Sequence, residues 1–169
     1  RDYSGSMWGK PTELVVAQHV LIYSWLLYQY ARQVETRFVL HDTEAREVPD
    51  FYTYYNLKVA GGTRVVSAYR LVNELIETES LYRDNNIYVF HGSDGDDWDT
   101  DGKKTLPEIR RLLQYANRVG ITLTSNPFRS GKSTMETYLS RSRLLDDKQD
   151  QIRLDRVPDN ADEKRLIEG

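Results

Sequence analysis

Five oxygen-bearing side chains stand where a hard divalent cation could collect them: Asp2, Ser4, Ser6, Thr63 and Asp94. The first three alternate along Asp2-Tyr3-Ser4-Gly5-Ser6. Magnesium takes oxygen ligands in near-octahedral geometry at about 2.0–2.1 Å, and manganese prefers similar oxygen donors. A single tight loop, with Gly5 allowing the bend, offers one carboxylate and two hydroxyls. Alone, this is also the composition of an ordinary polar loop leading into a helix. Two further segments strengthen the metal reading. Gly61-Gly62-Thr63 places a hydroxyl at a loop-to-helix junction, and Ser93-Asp94-Gly95-Asp96 places a carboxylate at the end of an apolar run. Ligands of open α/β sheets gather outside the carboxyl ends of the strands, so these loops are expected to meet on one edge. Each residue also has a plainer role. Thr63 would serve as a helix N-cap, although Val66 stands where a capping box wants Glu or Gln. Asp94 would form a turn before Gly95.

The elements that must position these loops alternate strand and helix, the pattern of an α/β domain with a mostly parallel sheet. Residues 12–32 predict a long helix with Pro11 near its start, apolar almost all round and therefore deeply packed. Residues 36–40 and 45–48 predict two short strands, and residues 50–56 an aromatic, irregular segment. A helix is expected over 63–78. Residues 86–93, with Ile87, Tyr88, Val89 and Phe90 in succession, predict a strand buried on both faces. A helix over 106–119 closed by Gly120, a strand over 121–124, a helix over 134–143, a strand over 152–154 and a helix over 161–168 complete the chain.

Several local motifs compete for chemistry. Asp97, Asp99 and Asp101, with Glu108 in the twelfth place, match the spacing of an EF-hand loop, which makes calcium a candidate ion for the acidic loop Asp94 to Asp101. A strand precedes that loop, where an EF-hand needs a helix. The plainer reading is a solvated loop whose charge favours cations near the metal edge, with Trp98 packed over it. Gly131-Lys132-Ser133-Thr134 resembles the end of a phosphate-binding loop, but Asn126 stands where its first glycine belongs. Ser133 is expected to cap a helix, with Lys132 exposed. His19, His41 and His91 read as interior histidines, the latter two near the metal edge. Asp42 and Glu44 are surface carboxylates with no assigned role.

The motifs Asp2-Tyr3-Ser4-Gly5-Ser6, Gly62-Thr63 and Ser93-Asp94-Gly95 resemble, in order and separation, the metal-ion-dependent adhesion site of von Willebrand factor type A domains. A closer likeness is to the bacterial YeaH/YhbH family of uncharacterised and sporulation-associated proteins. It is carried by residues 2–7, His41 to Val48, Gly61 to Thr63 and Ser93 to Trp98, and it covers essentially the whole chain. The resemblance implies a von Willebrand factor A-like, Rossmann-like domain over residues 1–169, with a mostly parallel sheet flanked by helices. It implies that Ser4, Ser6 and Thr63 offer hydroxyls to Mg2+ or Mn2+, with Asp2 and Asp94 holding the ion directly or through water. In that fold a central strand leads into Asp2. Only Arg1 precedes it here, so that strand is expected to be absent and the chain to be a fragment of a longer protein.

The ligand chemistry favours binding over catalysis. Neutral hydroxyls leave the cation short of negative charge, so a partner's Asp or Glu carboxylate can fill an open coordination position. Hydrolytic sites more often surround their ion with carboxylates and add a general base. The expectation is a metal-dependent protein-interaction domain rather than an enzyme. The family association suggests a cytoplasmic, stress- or sporulation-linked protein partnered by a serine kinase of the PrkA type. The competing readings are a metal-dependent phosphohydrolase using Asp2 and the acidic loop, and an interaction domain with no ion.

Composition sets the outer bounds. The 169 residues carry a formal charge of -3, 39% apolar and 29% charged residues, and no cysteine. The charge is too mild, and too evenly spread, for nucleic-acid binding. The lack of cysteine excludes disulfides and thiolate chemistry. Residues 14–30 are the most apolar stretch, interrupted by Gln18, His19, Ser24 and Gln29, and shorter than the roughly 20 apolar residues of a membrane span.

Overall fold

The computed structural model describes residues 1–58, 61–125 and 131–168. In chain order its elements are helix α1 (Lys10–Gln29), strands β1 (Phe38–His41) and β2 (Ala45–Val48), helices α2 (Phe51–Asn56) and α3 (Val65–Thr78) and strand β3 (Ile87–Ser93). Helix α4 (Thr105–Leu112), strand β4 (Ala116–Thr124), helices α5 (Thr134–Arg141) and α6 (Leu144–Asp147), strand β5 (Ile152–Val157) and helix α7 (Glu163–Glu168) follow. The fold is mixed α/β. Strands β3, β4 and β5 form a parallel sheet in that order, while β1 and β2 form an antiparallel ribbon.

Residues 1–3 lie between the two. The Tyr3 N–H donates to the His41 carbonyl at 2.9 Å, the His41 N–H to the Arg1 carbonyl at 3.0 Å, and the Asp2 N–H to the Gly92 carbonyl at 2.9 Å. Asp2 pairs with His41 in the parallel sense. Residues 1–3 form this single bridge and are not a strand of their own. The backbone around Asp2 is bonded on both sides, which fixes the carboxylate between the ribbon and the parallel sheet.

Helices flank the sheet because successive residues of a strand point to opposite faces. Val119, Ile121 and Leu123 of β4 face a core built with Val65 and Tyr69 of α3, Ile109 and Leu112 of α4, and Met135, Tyr138 and Leu139 of α5. On the other face the Thr122 hydroxyl donates to Gln18 Oε1 of α1 at 2.6 Å. Val15 of α1 lies directly over Gly92, where a Cβ would collide with it. Leu14 of α1 packs with Val157 and Leu166.

Four local expectations are corrected. Residues 51–56 form α2 rather than an irregular segment, because Asp50 caps it by accepting from the Thr53 N–H at 2.7 Å. Helix α4 ends at Leu112, and the Gln114 and Tyr115 N–H groups close its last turn onto Arg111 and Leu112. Gly120 then lies inside β4, where its missing Cβ lets the Phe90 ring approach. A glycine in a strand often marks such a close approach, and here that signal mimicked a helix end. Strand β3 is buried only towards its C-terminus, since Tyr88 and Phe90 are 53% and 41% exposed. Helix α1 is packed only as far as Tyr23, which stacks on Phe51, and then becomes exposed, with Trp25 56% and Tyr28 86% exposed.

Gly102, in the turn before α4, is held at φ +71°, and a Cβ there would stand 2.7 Å from Cγ of Tyr138. A left-handed backbone costs an L-residue about 1–2 kcal/mol, and crowding a packed ring adds to it. Gly102→Ala is expected to lower stability by about 2 kcal/mol in urea unfolding. An unchanged midpoint would mean that Tyr138 is not packed as described.

Candidate metal centre

Asp2 is fully buried. Its Oδ1 accepts from the Ser4 N–H at 2.9 Å and its Oδ2 from the Ser93 hydroxyl at 2.7 Å. Among the described residues no salt bridge reaches this carboxylate. Burial pushes its pKa up, against the opposing pull of the hydrogen bonds from Ser93 and Ser4. Ser93 also accepts from the Gly95 N–H at 2.9 Å, so one hydroxyl ties the Asp2 carboxylate to the loop that carries Asp94. Sequence reasoning gave Ser93 no role. Its place beside Asp94, at the carboxyl end of the strand, was the available signal.

The other predicted residues sit around this anchor. Ser4 is buried, and its Oγ lies 3.2 Å from Ser6 Oγ. The Gly5 N–H donates to the Gly61 carbonyl at 2.9 Å, joining the first loop to the second, and the Trp98 N–H donates to the Thr63 carbonyl at 3.2 Å, joining the second to the third. Thr63 and Asp94 are both buried. Oδ1 of Asp94 accepts from the Asp96 N–H at 3.1 Å. Ser6 and Thr63 share the wall of a cleft of about 330 Å³ with Gly61, Gly62, Asp96, Asp97, Trp98 and Thr134. A Cβ on Gly62 would run into the Trp98 ring, and the Arg64 guanidinium lies 5.8 Å from that ring's centre.

Thr63 does not cap α3. The capping position belongs to Arg64, which makes no side-chain cap bond. Asp97 supplies the acceptor from a distant loop, taking the Val65 N–H at 3.2 Å. Asp97 is buried rather than solvated, and burial pushes its carboxyl up despite four hydrogen bonds that lower it. Asp99 accepts from the Lys104 and Thr105 N–H groups at the start of α4. Glu108 engages Asn73, Arg111 and Arg70, so Asp97, Asp99 and Glu108 of the EF-hand spacing cap or tie helices, while Asp101 pairs with its neighbour Lys103. Ser133 caps α5, accepting from the Glu136 N–H at 3.2 Å. The Asn126 position of the phosphate-loop comparison lies outside the described residues.

The three histidines are interior, as expected. His41 Nε2 lies 2.9 Å from His91 Nε2, His91 Nδ1 lies 3.0 Å from the Tyr69 hydroxyl, and His19 Nδ1 meets the Tyr54 hydroxyl. Desolvation holds all three below the usual histidine range, with His41 down to about 3.

Among the described residues no three His, Asp or Glu side chains are grouped as a metal cage. A cation here would depend on hydroxyl oxygens. The donors available, two carboxylates and three hydroxyls on touching loops, are chemically suited to a hard ion. None of them is the soft or imidazole ligand that zinc or copper sites use.

A family described as "Protein of unknown function (DUF444)" matches residues 1–162. The UPF0229 protein of Ruminiclostridium cellulolyticum is 34% identical over 119 residues, covering 70% of this chain and 29% of the relative. That of Legionella pneumophila strain Corby is 37% identical over 118 residues, 68% of this chain and 28% of the relative. That of Pseudomonas putida strain F1 is 34% identical over 129 residues, 72% and 29%. The chain thus spans less than a third of the length of these bacterial relatives. With its match running almost from end to end, the chain belongs to the DUF444 family, the UPF0229 group of YeaH/YhbH-like bacterial proteins.

Proposed function

We propose that this chain is a von Willebrand factor A-like interaction domain that binds a partner's Asp or Glu carboxylate through a divalent cation. Asp2, Ser4, Ser6, Thr63 and Asp94 hold Mg2+ or Mn2+. The observation that carries the reading is the Asp2 carboxylate, fully buried between the ribbon and the parallel sheet and hydrogen-bonded only by neutral donors among the described residues. A buried charge is costly unless it is paired, and a cation at the adjoining hydroxyls offsets that cost. The cleft beside Ser6 and Thr63 gives a partner carboxylate access to the ion. The order β2, β1, residues 1–3, β3, β4, β5 supports the same fold reading, because Asp2 then lies at the middle of a mostly parallel layer.

The phosphohydrolase reading is less favoured. Both oxygens of Asp97 are occupied by protein donors, which leaves it poorly placed as a base. A cytoplasmic setting and a serine kinase partner of the PrkA type remain part of the proposal through the family likeness. Among the described residues no helix is long and apolar enough to cross a membrane.

The test is thermal. Mg2+ or Mn2+ at ten times its Kd stabilises by about 1.4 kcal/mol, a rise in Tm of roughly 3–5 °C for a domain of this size. Asp2→Ala and Asp94→Ala are expected to abolish the rise. A wild-type melting curve that ignores both ions in the full-length protein would sink the metal reading.

A further inference from the structure

We infer that Asp97 is a positioning residue for Thr63, holding the start of α3 and the second loop in the place from which the Thr63 hydroxyl reaches the ion. The inference rests on the metal reading above and deepens it.

Thr63 belongs to a segment whose own residues do little to fix it. Arg64, at the capping position of α3, makes no side-chain cap bond. The loop before it contains Gly61 and Gly62, which place few restraints on the backbone. The restraint comes from distant segments: the Arg64 N–H donates to the Asp42 carbonyl at 2.7 Å, the Gly5 N–H to the Gly61 carbonyl at 2.9 Å, and residues 97 and 98 add two bonds on either side of Arg64. Asp97 Oδ1 takes the Val65 N–H at 3.2 Å, and the Trp98 N–H donates to the Thr63 carbonyl at 3.2 Å. Asp97 is itself anchored. Its Oδ1 also accepts from the Asp99 N–H at 3.2 Å, and its Oδ2 from the Thr105 and Tyr138 hydroxyls, each at 3.1 Å. One carboxylate therefore joins α3, α4 and α5 at the wall of the cleft that Thr63 and Ser6 line. With its oxygens engaged by four donors, Asp97 acts through Thr63 and does not contact the ion.

Outer-shell partners of metal ligands typically contribute about 10–100-fold in affinity. Mn2+ binding to the full chain, followed by calorimetry and by the spin-resonance signal of free Mn2+, reads this directly. Asp97→Ala is expected to weaken binding by at least about tenfold. Asp97→Glu keeps the charge but displaces the clamp by one methylene, and is expected to weaken binding similarly, so it carries the test if the alanine variant does not fold. Asp97→Asn keeps an oxygen for Val65 and is expected to stay within about threefold of wild type. Tyr138→Phe removes a donor to the far oxygen and leaves the Val65 bond, so it controls for general loosening and is expected to bind Mn2+ like wild type. Wild-type affinity in Asp97→Ala, or in Asp97→Glu where that variant carries the test, would overturn the inference alone. So would an equal loss in Tyr138→Phe, which would mark a merely structural role. A wild-type chain that takes up no Mn2+ would overturn the metal reading, and this inference with it.

Discussion

Lowering the pH from 7 to 5.5 is expected to cost the folded protein up to about 3.6 kcal/mol through three buried histidines. All three histidines of the chain are buried, and desolvation holds each below its usual range. The unfolded chain binds a proton on each as the pH falls through about 6.5, while the folded protein does not. The unfolded state then carries more protons, so stability falls with falling pH. Each histidine contributes roughly 1.2 kcal/mol over this interval. The buried carboxyls of Asp2 and Asp97 act in the opposite sense, because burial raises their pKa values and protonation favours the folded state. Their effect trims the loss. Small domains have about 5–15 kcal/mol in total, so urea unfolding at the two pH values should differ plainly. His19→Gln, away from the proposed ion, should remove about a third of the difference. Equal stability at pH 7 and 5.5 would show that these histidines take up protons in the folded state.

The alternation of strand and helix was legible in the sequence because it rests on local periodicity. Strand β2 and the capped start of α5 at Ser133 follow the expected boundaries. The misread segments are those whose structure depends on distant partners. Gly120 looks like a helix terminator until Phe90 of the neighbouring strand is seen to need the space. Nothing within residues 113–119 announces a strand, and the choice is made by pairing with β3 and β5. Tyr88 and Phe90 make an apolar run with Ile87 and Val89, but composition cannot tell which face of a strand is covered.

The candidate site divides in the same way. The motif residues were legible because their oxygens and spacing are local. Their supports were not. Ser93 reads as one more polar residue beside Asp94, yet its hydroxyl links Asp2 to Gly95 across the sheet. Asp97 reads as a member of an acidic, calcium-like loop, yet it is buried and caps a helix that begins 32 positions earlier in the chain. A row of aspartates in sequence gives no sign of which side chains turn inward, since that is decided by donors on α3, α4 and α5.

Asp2→Asn is expected to be more stable than wild type in chelator and to lose that lead when Mg2+ is added, a change in margin of about 2.7 kcal/mol. In chelator, the wild-type carboxylate is buried with only neutral donors in hydrogen-bond contact, and an effective desolvation penalty of several kcal/mol applies to such an ion. Asparagine removes the charge and keeps the shape. Its oxygen still accepts from the Ser4 N–H, and its amide donates to the Ser93 hydroxyl, which already accepts from Gly95. The variant is therefore expected to be more stable than wild type by about 2–3 kcal/mol in chelator at pH 7. With Mg2+ at a hundred times its Kd, the wild type gains about 2.7 kcal/mol. The variant, having lost the charge that draws the ion, gains almost nothing. An interaction domain that uses no ion predicts a different result, with the asparagine variant ahead in both media by the same margin. Urea unfolding of the two proteins with chelator and with Mg2+ separates these outcomes, because the metal reading requires the margin to collapse or change sign when the ion is added.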